Sequence, residues 1–214
     1  MYRLVIGNKA YSSWSLRPWL LMKHAGIAFE EVKVSLYRPD AKQVLLSHSG
    51  AGKVPVLHDG GQTIWDSLAI AEYLAEKHPD RRLWPADPAA RAQARSASAE
   101  MHSGFSNLRS QMPMNVRRRI ARRPSTEVAA DIARIQSIWS DCRKRFGAGG
   151  PFLFGAFSIA DAMYAPVASR FHTYGVELAE PARAYAQALL ALPAFQAWVA
   201  DAHAEAEVNP QYEA

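Results

Sequence analysis

The chain has 214 residues, 49% of them hydrophobic, and a formal charge of +5. That is enough apolar material for one large or two small domains with a sizeable core, and no run reaches the roughly 20 apolar residues of a membrane span. The opening MYRLVIG is too short and wrongly flanked for a secretory signal, so a cytoplasmic protein with no membrane partner is expected. One cysteine, Cys142, excludes an internal disulfide and a cysteine-based metal site. No metal is expected, and thiol chemistry would have to use a borrowed thiol.

The first eighty residues alternate in type. YRLVIG reads as a short buried strand, LRPWLLMKHAG as a helix ended by Gly26, and AFEEVKVSL as a strand with apolar positions at period two. DAKQVLLSHS then suggests a short helix, KVPVLHDGGQTIWD a hairpin turning at Asp59-Gly60-Gly61, and SLAIAEYLAEKH a closing helix. The order βαβαββα predicts a mixed four-stranded sheet, because the βαβ unit makes a parallel pair and the hairpin adds antiparallel partners. Three prolines between Pro79 and Pro88 mark a linker. Beyond it, helical spacing runs over 89–108, 125–146, 159–174, 182–191 and 194–206, so the second part, residues 89–214, is read as all-helical.

The positive charge sits in the middle of the chain. Residues 81–146 carry 14 basic residues against 5 acidic ones, many of them in VRRRIARR, Val116 to Arg123. With no aromatic platform, zinc pattern or helix-turn-helix signal beside them, these arginines are read as a solvated helix face, and no nucleic-acid partner is expected.

Three short stretches carry candidate chemistry. In SSWSLRPW, Pro18 suits a helix's first turn, which places the helix start near Ser13 to Ser15. One serine serves as N-cap, and the other hydroxyls would face the positive end of a helix, where an anion such as a thiolate is stabilised. In KVPVL, a proline inside a strand belongs at an edge, a strand start or a cis turn; a cis Val54-Pro55 bond would free the Val54 main chain to pair with an extended peptide-like ligand. In WDSLAIAEYL, Asp66 or Ser67 caps a helix whose N-terminus would hold a carboxylate, while Asp66 would accept from an ammonium group.

Taken together, the serine stretch, KVPVL, WDSLAIAEYL, the linker LWPADPAARAQAR and FSIADAMYAPV, with its Ser158-to-Asp161 capping-box form, resemble the glutathione transferase superfamily over essentially the whole chain. SSWSLR is most similar to the serine-type, zeta-like pattern. The resemblance implies a thioredoxin-like glutathione-binding domain over residues 1–80, a helical domain that contributes the electrophile pocket, glutathione as co-substrate, a small electrophilic partner and a homodimer. It further implies that Ser12 hydrogen-bonds the glutathione sulfur, with Ser13 and Ser15 as alternatives. Val54 would pair with the cysteinyl part beside cis Pro55, Asp66 and Ser67 would hold the γ-glutamyl end, and Lys53 would meet the glycyl carboxylate. Trp14, counted with the glutathione-binding set, stands where the zeta-like pattern has cysteine. The stretch MPMNVRR, Met112 to Arg118, is similar to an uncharacterised bacterial branch of the superfamily and by position would line the electrophile pocket. The leading expectation is a glutathione S-transferase; a glutathione-dependent isomerase of the maleylacetoacetate type and a noncatalytic thiol-binding scaffold are the alternatives.

Overall fold

A computed structural model describes residues 1–213. In its first part, β1 (Tyr2–Ile6), α1 (Ser13–His24), β2 (Phe29–Lys33), α2 (Ala41–His48), β3 (Val56–Asp59), β4 (Gln62–Trp65) and α3 (Ser67–Lys77) follow the expected order. The sheet runs β2-β1-β3-β4, with β1 and β2 parallel and the other pairs antiparallel. Gly60, at φ 56°, turns the β3–β4 hairpin in the left-handed region that glycine enters without a Cβ penalty. This is a thioredoxin-like sheet with helices packed on it.

The second part is helical: α4 (Pro88–Ser103), α5 (Ser106–Gln111), α6 (Thr126–Phe146), α7 (Ile159–Thr173), α8 (Ala182–Leu190) and α9 (Pro193–Ala204). Helix α7 is its axle. Every residue of α7 except His172 is buried, and the helix packs against α1, α4 and α8. One apolar cluster runs from Leu4 and Leu20 of the first part through Tyr164 and Phe171 to Trp198 of the last helix, so the two parts share a core. A helix that is apolar nearly all round is stable only inside such a core.

Three expectations need correction. The helix expected over 89–108 is two helices, because Gly104 ends α4 and Phe105, at φ 57°, turns the chain before α5. The Arg109 guanidinium secures that corner by donating to the carbonyls of Met101 and His102 at 3.0 and 3.3 Å, and to that of Gly104. The arginine run is not helical. It lies in a loop between α5 and α6, flanked by Pro113 and Pro124 and tied down by Val116 N–H to the Ala10 carbonyl (3.1 Å) and Ile120 N–H to the Thr173 carbonyl (2.7 Å). Finally, α1 starts at Ser13, so Pro18 falls in its second turn rather than its first and withholds the N–H that the Trp14 carbonyl would otherwise accept. Among the described residues, no helix is long and apolar enough to cross a membrane.

Candidate functional site

The site begins where β1 hands over to α1. Ser12 is the N-cap of α1. Its Oγ accepts from Ser15 N–H at 3.4 Å and donates to Ser15 Oγ at 2.7 Å, and Ser15 Oγ also accepts from Gly7 N–H at 3.0 Å. Ser13 Oγ instead accepts from Nη2 of Arg170, a residue of α7, at 3.2 Å. The three serines are thus divided between a cap and a contact with the helical part.

Two adjoining cavities open here, of about 460 and 590 Å³, and share Trp14, Lys53 and Val54. The first is lined by Ser12, Ser13, Tyr11, Tyr37, Arg170 and Tyr212 among others, the second by Pro55, Trp65, Asp66 and Ser67. Ser12, Ser13, Trp14, Lys53, Val54, Pro55, Asp66 and Ser67 each border one cavity or both, whereas Ser15, the other alternative for the sulfur contact, is wholly buried and borders neither. Val54-Pro55 is cis, the geometry that KVPVL predicts. Asp66 is the N-cap of α3, accepting through Oδ1 from Leu68 N–H (2.8 Å) and Ala69 N–H (3.3 Å). His102 Nε2 of α4 lies 3.1 Å from its other oxygen, and burial lowers the His102 pKa, so the contact is a hydrogen bond from a neutral ring. Ser67, buried, accepts from Arg17 Nη1 at 3.4 Å.

Sequence reading missed the arginines. Arg17 and Arg170 are 2% and 4% exposed, with Arg109 close by, and among the described residues none of the three has a carboxylate within ion-pair distance. Burial, then repulsion from Arg170 and Arg109, brings Arg17 down to about 9. Burial, then Arg109, brings Arg170 down to about 10. Both stay charged at neutral pH. The Arg17 guanidinium stacks 4.2 Å from the centre of the Trp14 ring, and that of Arg109 lies 5.4 Å from it, so the tryptophan spreads two cations over its face. Arg170 had a signal in the sequence: it is the one Lys or Arg in the largely apolar IADAMYAPVASRFHT. The net result is a buried positive field at the N-terminus of α1, suited to an anion.

Cys142 contributes nothing to it. Burial pushes that thiol up to about 12, so it stays protonated and inert.

The chain beyond α9 packs beside the first cavity and contributes Tyr212 to its lining. Tyr212 packs 5.2 Å from Tyr11, centre to centre. Glu213 accepts from Tyr11 Oη (2.6 Å) and Asn115 Nδ2 (3.0 Å). Within the arginine run the residues differ. Arg117, its side chain only 13% exposed, donates to the Glu205 and Glu207 carbonyls at 3.1 and 3.0 Å and to Tyr11 Oη. Arg118 is half exposed and meets only Glu213. Arg117→Ala is therefore expected to cost about 1–3 kcal/mol and to make the segment after Ala204 the first site of limited proteolysis. Arg118→Ala is expected to stay within about 1 kcal/mol, as exposed pairs do. Equal effects of the two in urea titration would contradict this division.

A thioredoxin-like sheet whose first helix opens on serines, in a positive field and beside a cis proline, defines a protein that binds a thiol rather than supplying one. Residues 11–77 match the family described as glutathione S-transferase, N-terminal domain, and residues 125–201 match glutathione S-transferase, C-terminal domain. The chain is 30% identical over 194 residues to the maleylacetoacetate isomerase of Rattus norvegicus, spanning 86% of this chain and 85% of the rat protein. A probable maleylacetoacetate isomerase of Caenorhabditis elegans is 43% identical over 96 residues, 45% of this chain and 44% of the relative, so there the match spans less than half of the relative's length. A glutathione transferase homologue from Burkholderia, solved with bound glutathione, superposes with a TM-score of 0.70 at 26% identity over 96% of this chain and 99% of that one. The holo structure of a bacterial zeta-class maleyl pyruvate isomerase shares the fold, with a TM-score of 0.73 at 20% identity over 97% and 100% of the two chains. The chain belongs to the glutathione transferase superfamily.

Proposed function

We propose that this protein is a glutathione S-transferase that ionises glutathione in the paired cavities and directs the thiolate at an electrophilic small molecule. The observation that carries this reading is the set of buried arginines around the serines, cations with no carboxylate of their own. Residues 1–80 bind the tripeptide: Lys53 meets the glycyl carboxylate, the Val54 main chain beside Pro55 pairs with the cysteinyl unit, and Asp66 and Ser67 hold the γ-glutamyl end. Ser12, Ser13 and Trp14 surround the sulfur. Residues 89–214 supply the electrophile wall through Arg109, Arg170 and Tyr212.

The magnitudes are adequate. A free thiol of this kind has a pKa of about 8.5, and lowering it by about two units takes roughly 2.7 kcal/mol. One charge-assisted hydrogen bond contributes about 1.5–3 kcal/mol, and a helix N-terminus about 0.3–1 kcal/mol. The same positive field favours electrophiles on which attack develops negative charge. When sulfur adds to an alkene conjugated to a carbonyl, the π electrons move onto oxygen as an enolate, which the arginines stabilise. Protonation of its carbon then completes a conjugation.

A second reading uses the same addition. If the enolate expels the thiolate after rotation about the new single bond, the net reaction is cis–trans isomerisation with glutathione regenerated; the likeness to the rat isomerase favours keeping this outcome in the assay. Retention on immobilised glutathione, a thiolate absorbance band on binding, and turnover of a conjugated enone test the proposal. Consumption of glutathione supports conjugation, product isomerised without glutathione loss supports the isomerase, and neither retention nor a thiolate band leaves a scaffold protein. We place the protein in the cytoplasm as a homodimer, on the strength of its family, and sedimentation should give twice the 23.7 kDa of the chain.

A further inference from the structure

We infer that His102 is a positioning residue for the γ-glutamyl ammonium of glutathione: its neutral ring steers the uncapped oxygen of Asp66 toward the second cavity, and its cation takes that oxygen from the ligand. The inference rests on the glutathione reading above and gives a role to a residue that borders neither cavity.

The two oxygens of Asp66 are differently placed. Oδ1 accepts from Leu68 N–H at 2.8 Å and Ala69 N–H at 3.3 Å, which commits it to the cap of α3. Oδ2 lies 3.1 Å from His102 Nε2, while the Asp66 side chain keeps 41% of its surface exposed and lines the second cavity. An ionised carboxylate only accepts, so the proton of this contact belongs to Nε2, and each carboxylate oxygen has room for two donors. One donor from the protein and one from the ligand therefore fit on Oδ2. Held by α3 through one oxygen and by α4 through the other, the carboxylate is ordered before the ligand arrives, which lowers the cost of binding.

The surroundings of His102 fix both its ring and its charge. The ring meets Trp14 edge to face, 5.3 Å from centre to centre at 78°, and Nδ1 is buried with no hydrogen-bond partner among the described residues. A second proton, on Nδ1, would be a buried donor with nothing to receive it. Helix α1 presents Arg17 to this ring, α5 presents Arg109, and α3 presents Asp66. Of the other helices packed on α4, α6 carries Arg134, paired with Glu100 at 2.7 and 2.8 Å, and α7 carries Tyr164, which donates to the Ala97 carbonyl at 3.2 Å. Burial lowers the His102 pKa, Asp66 opposes that, and the two arginines reinforce it. At neutral pH the Asp66–His102 pair thus carries one negative charge, and once the ring is protonated it carries none. The charge lost is the one that attracts the ligand. By reciprocity a bound ammonium makes the ring harder to protonate, so binding in acid expels a proton from it.

The test is calorimetry with S-methylglutathione, a probe with no thiol to titrate. Its carboxylates titrate below about 4 and its ammonium above about 7.5, so its charge is constant between about pH 5 and 7. None of the other histidines borders either cavity. The wild type is expected to bind about three- to tenfold more weakly at about pH 5 than at about pH 7, and to release protons on binding at the lower pH, read as a dependence of the heat on the buffer's ionisation enthalpy. His102→Gln, whose amide offers a neutral N–H near the place of Nε2, should bind within about twofold of the wild type at neutral pH and lose both the pH dependence and the proton release. His102→Leu removes the donor and should bind about three- to tenfold more weakly at neutral pH, with no further loss in acid. Unfolding midpoints measured alongside separate a lost fold from lost binding, and if His102→Leu does not fold, the His102→Gln comparison decides. A pH dependence retained in His102→Gln overturns the inference, and so does wild-type affinity in a folded His102→Leu at neutral pH. A wild-type protein with no binding heat at neutral pH overturns the glutathione reading itself, and the inference with it; binding that is equally tight at both pH values overturns the inference alone.

Discussion

Asp161→Ala is expected to destabilise the protein by about 3–5 kcal/mol, the range for removing one partner from a buried hydrogen-bonded set that includes a charge. The Asp161 carboxylate is wholly buried and accepts from Ser158 N–H at 2.8 Å, Ser158 Oγ at 2.9 Å and Leu153 N–H at 3.1 Å. Burial raises its pKa to about 6, and these three donors, with the Tyr185 hydroxyl nearby, favour the ionised form against that burial. Alanine would strand two buried amide donors at the start of α7, each an unsatisfied group of about 1–3 kcal/mol. Asp161→Asn keeps one acceptor and should lose about half as much. Urea midpoints at neutral pH check both, and a loss under about 1 kcal/mol for alanine would mean that the capping box does not anchor this helix. Activity should fall with stability, since α7 also carries Arg170.

The alternation of strands and helices up to Lys77 was legible because the elements there are short and bounded by turn and capping residues. The VLHD and QTIW strands flank a glycine turn, and WDS places an N-cap directly after a strand. The same punctuation exposed the residues bordering the cavities: serines, cis proline and Asp66 all stand at element ends, where local rules operate. The break at Gly104 was not legible, because one glycine in a helical pattern weakens it without fixing where the chain turns; that depended on Arg109 reaching back to three carbonyls. Nor was VRRRIARR. Charge spacing alone cannot distinguish a solvated helix from a loop tied to Ala10 and Thr173, residues far away in the chain. The buried arginines were hidden for the same reason. Arg170 and Ser13 are 157 positions apart, and only the packing of α7 on α1 makes them neighbours. Local chemistry thus marked the residues that border the cavities, and tertiary contacts decide how those cavities are charged.

The other large expected effect is at Asp66, where capping and ligand binding meet in one side chain. Asp66 stands at φ 77° and ψ 135°, outside the left-handed helical region and in backbone space that residues other than glycine rarely enter. One carboxylate oxygen caps α3, and the other faces His102, whose lowered pKa leaves the ring neutral; the buried Arg17 attracts the Asp66 charge but makes no ion pair with it. A ligand ammonium held there makes a charge-assisted bond of about 1.5–3 kcal/mol, which is about ten- to a hundredfold in glutathione affinity. Asp66→Ala should lose that affinity together with about 0.5–2 kcal/mol of stability from the missing cap, plus a further loss for alanine at positive φ. Asp66→Asn separates the two roles: it has the shape of Asp, so its backbone meets no new strain, and its amide oxygen still caps Leu68 N–H, but it has no charge. It is expected to unfold within about 0.5 kcal/mol of the wild type while binding glutathione about tenfold or more weakly by calorimetry. If Asn binds as tightly as Asp, the carboxylate serves the helix alone, and the γ-glutamyl ammonium must be held by another group.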